Sequence, residues 1–151
     1  MARRSGPGPD DDPVMSEQQG VRYLHFGSEW VQGAMRVRRP DELVLVYTQQ
    51  MMAWLLFLEP AGNDELAMLG LGAGSLARFT HRYTTSRLHV VEWNPQVTAI
   101  CRAYFRLPES SRMKIWHEDA ANWVERPDVM GRFRSLMVDL YDAQAQGPVC
   151  D

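Results

Sequence analysis

From Glu65 to Asp139 the chain alternates short apolar runs with amphipathic stretches, and this alternation constrains the fold more than any other feature. The segment ELAMLGLG from Glu65 reads as a buried strand running into a glycine turn, followed by a helix from Ser75 to Arg82. A second strand is predicted over Leu88–Glu92, a helix over Gln96–Phe105 and a third strand over Met113–His117. A short helix over Ala120–Glu125 and a fourth strand over Ser135–Asp139 complete the series. Strands and helices at this spacing form right-handed βαβ units around a parallel sheet. The fold class is therefore α/β and Rossmann-like.

The glycine turn lies within LGLGAGSLARF, where Gly70, Gly72 and Gly74 stand between a strand and the helix that follows directly. Glycine permits positive φ and a close backbone approach to a ligand, while the first turn of the helix offers unpaired N–H groups and a favourable dipole. The plain alternative is a tight strand-to-helix turn. Glu92 adds weight to the ligand reading. It ends the next strand about 20 residues on, where nucleotide-binding folds place an acid that accepts hydrogen bonds from ribose hydroxyls. Asp119, in HEDA after the third strand, suits either a helix N-cap or an acceptor for an adenine amino group. Asp139 and Asp142, in MVDLYDA, fall at the carboxyl edge of the sheet, where open α/β sheets bind ligands. Two acids there suit a cationic substrate, one taking a proton and the other holding charge; loop-solvated acids are the alternative.

Ahead of this region, residues 1–20 are rich in Pro, Gly and Asp and are expected to be a disordered tail. Residues 21–60 read as a β-hairpin over Arg22–Val37, turning at Gly27-Ser28, and a linking helix that stops at Pro60. Residues 61–151 form the nucleotide-binding domain. After Leu140 only YDAQAQGPVCD remains, too short for another helix and strand, so the sheet is expected to stop after its fourth strand. That leaves an apolar edge uncovered, as in a truncated chain or one that associates, plausibly as a homodimer helped by the hairpin.

Bulk properties exclude several classes of function. A net charge of −3 and a sequence pI of about 5.8 give no basic field for nucleic acid or anionic lipid. The longest apolar run, from Met51 to Leu58, is too short to cross a bilayer, and the N-terminus has no secretory h-region. Cys101 and Cys150 form no motif with each other or with His25, His81, His89 and His117, so no metal site is expected and a reducing, cytoplasmic setting fits. Trp54, Trp116, Trp123, Met51 and Met52 read as core, and Cys101 as a small buried apolar group.

The hairpin, GLGAG, VVEWNP, HEDA and VDLYDA, in this order, resemble the spermidine synthase family of polyamine aminopropyltransferases from about Arg22 to the end. The resemblance implies a small N-terminal β-domain and a class I methyltransferase-type fold that binds decarboxylated S-adenosylmethionine or S-adenosylmethionine. It implies aminopropyl transfer to a polyamine, with Glu92 on the ribose, Asp119 and Ala120 near the adenine, Asp139 as the base for the attacking amine and Asp142 nearby. Gln49 resembles the glutamine of the family's Tyr-Gln-Glu-Met segment. Ala73 stands where the family has an aspartate that grips the aminopropyl amine, and Tyr47 lies one position before the family's tyrosine. Methyl transfer on the same scaffold and a non-catalytic binding or assembly module are the alternatives.

Overall fold

A computed structural model describes residues 12–27 and 29–140. Two sheets make up the architecture. The first is an antiparallel meander of β1 (Pro13–Gln18), β2 (Val21–Phe26) and β3 (Val31–Arg36). The expectation of a disordered tail through residue 20 is corrected here, because β1 pairs with β2 along its whole length. Its polar composition hid a turn signal. Gln19 and Gly20 join the two strands with φ of 52° and 75°, the double positive φ of a two-residue hairpin loop that matches strand twist. The predicted hairpin thus supplies two strands of a three-stranded sheet.

The linking segment is helical only briefly, as α1 (Val46–Met51) followed by a 3₁₀ stretch over Met52–Leu56. The second sheet contains β4 (Glu65–Leu69), β5 (Arg87–Val91), β6 (Met113–Trp116) and β7 (Ser135–Val138) in the order β6-β5-β4-β7, all parallel. Between them run α2 (Ser75–Tyr83), α3 (Pro95–Tyr104) and α4 (Ala120–Val124). Each lies within about a residue of its sequence expectation. Helix α3 starts as its sequence dictates: Pro95 takes the first position, and the Asn94 side chain accepts from the Gln96 N–H at 2.9 Å.

The two faces of the parallel sheet bury separate cores. On one, Leu66, Met68, Leu88 and Val90 pack with Leu76, Ala77, Val97, Cys101 and Phe105 and with Leu24 and Met35 of the meander. On the other, Ala67, Leu69 and Val91 pack with Trp123 and Val129. Strand β7 pairs on one side with β4, and no described strand lies beyond it. Its alternation leaves Met137 buried while Leu136 and Val138 remain 49% and 45% exposed.

The meander docks directly on the glycine turn. A Cβ at Gly33 would fall 2.4 Å from the Ala73 Cβ, so only glycine at residue 33 lets β3 come this close. Ser75 Oγ, at the start of α2, donates to the Ala34 carbonyl at 3.0 Å and secures the same contact.

Candidate functional site

Strand β4 has β5 on one side and β7 on the other, so the chain reverses its direction of winding between β4 and β7. A crevice at the carboxyl ends of the strands is expected at such a point. Three backbone bonds gather the site there. Gly70 N–H donates to the Val91 carbonyl at 2.8 Å, Asp139 N–H to the Leu69 carbonyl at 2.9 Å, and Glu92 N–H to the Trp116 carbonyl at 2.9 Å. Parallel pairing therefore carries past the strand ends and sets Gly70, Glu92 and Asp139 side by side.

Gly70, Gly72 and Gly74 all take positive φ, at 88°, 52° and 74°. Gly70 meets a further demand, since a Cβ there would lie 2.1 Å from the Asp139 carbonyl oxygen. Gly74 N–H closes the turn on the Leu71 carbonyl at 2.9 Å and caps α2. Glu92 is 6% exposed and reaches back to this turn. Its Oε2 accepts from Leu71 N–H at 3.1 Å, and its Oε1 accepts from Asn94 N–H at 2.9 Å. Burial pushes its carboxyl above the usual range, with the two N–H donors opposing. Each oxygen retains acceptor capacity beyond these bonds.

Asp139 is mostly buried, and burial pushes its carboxyl up to about 6. One oxygen, Oδ2, accepts from the Tyr47 hydroxyl at 3.3 Å; the other, Oδ1, is buried with no hydrogen-bond partner among the described residues. A buried acceptor left open beside a crevice is a place where a ligand's donor fits. Helix α1 thus sets the Tyr47 side chain against Asp139, just past the end of β7.

Other expected residues are placed differently. Asp119 is the N-cap of α4, its Oδ1 accepting from Asn122 N–H at 3.0 Å, and Ala120 is the first residue of that helix. The capping role is fulfilled, and one oxygen of the exposed carboxylate remains for another donor. Gln49 is not brought to the crevice. Residues two positions apart on a helix lie nearly opposite each other, so with Tyr47 facing Asp139, Gln49 turns away. Its amide donates to the Leu43 carbonyl at 2.9 Å and lines a separate open groove of about 910 Å³ with Leu43, Met52, Leu55 and Phe79. Asp142 lies outside the described residues.

Sequence reasoning missed two residues behind the turn. Arg78 is 1% exposed on α2, its guanidinium donating to the carbonyls of Pro40, Ala73 and Phe105 and to Ser75 Oγ. The available signal was an arginine flanked by Leu76, Ala77 and Thr80, all of which are buried. Cys101, expected only to fill space, also donates its S–H to the Gly72 carbonyl at 3.1 Å, and burial pushes its thiol up to about 12. Such a thiol is structural, not reactive. Among the described residues no cluster of His, Cys, Asp and Glu could hold a metal, and no helix is long and apolar enough to cross a membrane.

Comparison with known proteins agrees with this architecture. No family model matches the chain. It is 42% identical over 113 residues to a polyamine aminopropyltransferase of Neisseria meningitidis, covering 74% of this chain and 43% of that protein. It is 38% identical over 133 residues to the polyamine aminopropyltransferase of Chromobacterium violaceum, covering 85% and 48%. The chain therefore spans less than half the length of the relatives it matches. Among solved structures, a probable spermidine synthase from Corynebacterium glutamicum superimposes with a TM-score of 0.65 at 21% identity, over 75% of this chain and 43% of that one. A spermidine synthase in complex with the transition-state analogue AdoDATO gives 0.59 at 17% identity, over 87% and 47%. Human methyltransferase-like protein 13 in complex with SAH gives 0.55 at 23% identity, over 65% and 49%. In sequence and in fold the chain is spermidine synthase-like, with an α/β domain of the kind that spermidine synthases and class I methyltransferases share.

Proposed function

We propose that the crevice binds the nucleoside of decarboxylated S-adenosylmethionine, or of S-adenosylmethionine, and supports aminopropyl transfer to a polyamine. The observation that carries this reading is Asp139: a mostly buried carboxylate, held by Tyr47 beside the glycine turn, with one oxygen that has no hydrogen-bond partner among the described residues. Glu92 receives the ribose hydroxyls, Gly70, Gly72 and Gly74 admit the cofactor backbone-close, and Asp119 with Ala120 borders the adenine. The acceptor amine attacks the aminopropyl carbon next to the sulfonium. The C–S bond breaks with its electron pair going to sulfur, methylthioadenosine leaves, and the amine's proton passes to Asp139. Oriented reactants lower the barrier by several kcal/mol, so positioning supplies much of the effect.

Three features fit the rest of the reading. The names of the relatives support aminopropyl over methyl transfer. Ala73, buried against Gly33, offers no carboxylate to a cationic tail, which leaves Asp139 as the acid of the β4–β7 crevice and gives it Asp142 as a neighbour in sequence. The chain's cysteine usage supports a cytoplasmic setting.

Calorimetric titration with decarboxylated S-adenosylmethionine, S-adenosylmethionine and methylthioadenosine tests the site. The first and third are expected to bind. Heat from none of them would overturn the reading in favour of a binding or assembly module. Glu92→Ala is expected to weaken methylthioadenosine binding by about 1.5–3 kcal/mol, the range for hydrogen bonds to a charged group. An unchanged dissociation constant would remove Glu92 from the ribose.

The pH dependence of turnover follows from Asp139. Its folded pKa, about 6, lies above the ordinary 3.8, so the folded chain favours the protonated carboxyl. Stability from this group is full below the ordinary value and falls as pH rises through 6. Catalysis needs the deprotonated form and rises over the same interval, giving kcat/KM an acid limb near 6. Tyr47→Phe removes the hydrogen bond that lowers this pKa, so the limb is expected to move to higher pH. A limb that stays in place, or moves down, would detach Tyr47 from the base.

A further inference from the structure

Arg78 is buried and forms no salt bridge among the described residues; the Asp41 carboxylate acts on it only through space. Its four hydrogen bonds go to three backbone carbonyls and one hydroxyl: Pro40 at 2.8 Å, Phe105 at 2.8 Å, Ser75 Oγ at 3.4 Å, and Ala73. Burial lowers its pKa to about 10, which leaves it charged at neutral pH. Burying a cation this way costs more free energy than filling the same volume with an apolar side chain, so gain in stability is a poor account of it. Geometry is a better one.

The four partners belong to three separate parts of the chain, with Ala73 and Ser75 two residues apart where the glycine turn enters α2. Pro40 follows the meander, Ala73 lies inside the glycine turn, Ser75 opens α2 and itself holds Ala34 of β3, and Phe105 ends α3. A planar fork of five N–H groups can bridge such an arrangement, whereas the three donors of an ammonium radiate from one point. The turn also needs an external restraint, because its glycines have the widest conformational freedom of any residue. Two of its carbonyls are held from behind, Ala73 by Arg78 and Gly72 by Cys101.

We infer that Arg78 is a positioning residue for nucleoside binding: it fixes the glycine turn in one conformation and ties that conformation to the docked meander. This rests on the nucleoside reading of the crevice. It assigns no contact between Arg78 and the ligand.

The test compares Arg78→Lys and Arg78→Met with Arg112→Met. Arg112 is a second carbonyl clamp, donating to His81, Thr84 and Ser86 at the far end of α2, away from the turn. Titration with methylthioadenosine gives both a dissociation constant and a stoichiometry. A merely structural loss lowers the fraction of competent protein, and so the stoichiometry, without changing the affinity of the remainder. A positioning loss raises the dissociation constant at full stoichiometry. Both Arg78 variants are expected to weaken binding about tenfold or more, and Arg112→Met to leave it unchanged. Amide hydrogen exchange without ligand provides the second measurement. The Gly74 N–H, bonded to Leu71, is expected to exchange at least about tenfold faster in Arg78→Lys and at the wild-type rate in Arg112→Met. Wild-type affinity in Arg78→Lys, or equal effects from the two arginines, overturns the proposal. If the wild-type chain binds no methylthioadenosine, the nucleoside reading fails, and the exchange data alone then decide whether Arg78 orders the turn.

Discussion

Asp139→Asn is expected to lower turnover by a factor of roughly 10² to 10⁴ while leaving nucleoside affinity nearly intact, because a general base acts in the chemical step. The amide keeps the shape of the carboxyl group and cannot accept the amine's proton. Stability should move the other way. Burial makes the charged carboxylate unfavourable in the folded chain, so a neutral amide relieves that cost and the thermal midpoint at pH 7.5 should hold or rise. Steady-state assay of aminopropyl transfer with calorimetry and thermal melting separates these effects. Equal loss of turnover and affinity would give Asp139 a structural role, and unchanged turnover would exclude it as the base.

Gly70→Ala should be the most damaging single change to the fold. A Cβ at this position would fall 2.1 Å from the Asp139 carbonyl oxygen and 3.0 Å from its carbon, and neither can swing aside as a flexible side chain would. Its φ of 88° adds strain for any L side chain. Left-handed backbone costs about 1–2 kcal/mol and overpacking about 1–3, so a destabilisation of about 2–5 kcal/mol is expected. Gly20→Ala is the control. Its φ of 75° is similar, but nothing lies within 4 Å, so only the backbone strain of about 1–2 kcal/mol applies. Urea unfolding of both variants would show it: equal losses would mean that the approach of β4 to β7 is not tight. Because the displaced atom belongs to Asp139, the folded Gly70→Ala chain should also lose turnover.

Local pattern made the α/β region legible. Apolar runs bounded by glycine, asparagine and proline specify β4 to β7 and α2 to α4 with little help from elsewhere, and Asn94-Pro95 marks the start of α3 directly. The placement of the candidate site was legible to the same extent. Gly70, Gly72, Gly74, Glu92 and Asp139 follow strand ends, and parallel pairing brings strand ends together wherever such a fold forms. The N-terminal region was less readable. Strand β1 is solvent-facing along most of its length, so its existence depends on pairing with β2, and its one local signal, Gln19-Gly20, is short.

What the sequence determined, then, is the order of elements and which residues end up at the carboxyl edge of the sheet, since both follow from periodicity and turn chemistry along a few neighbouring residues. Tertiary structure alone decided the contacts between distant segments. It turned Gln49 away and Tyr47 toward Asp139, because a helix can present only one of two residues two positions apart to a given neighbour. It buried Arg78 among carbonyls from three parts of the chain and set Gly33 against Ala73. Such contacts have no periodicity to read: they depend on how the meander docks on the glycine turn, and that is fixed by close packing between surfaces, not by any one stretch of sequence.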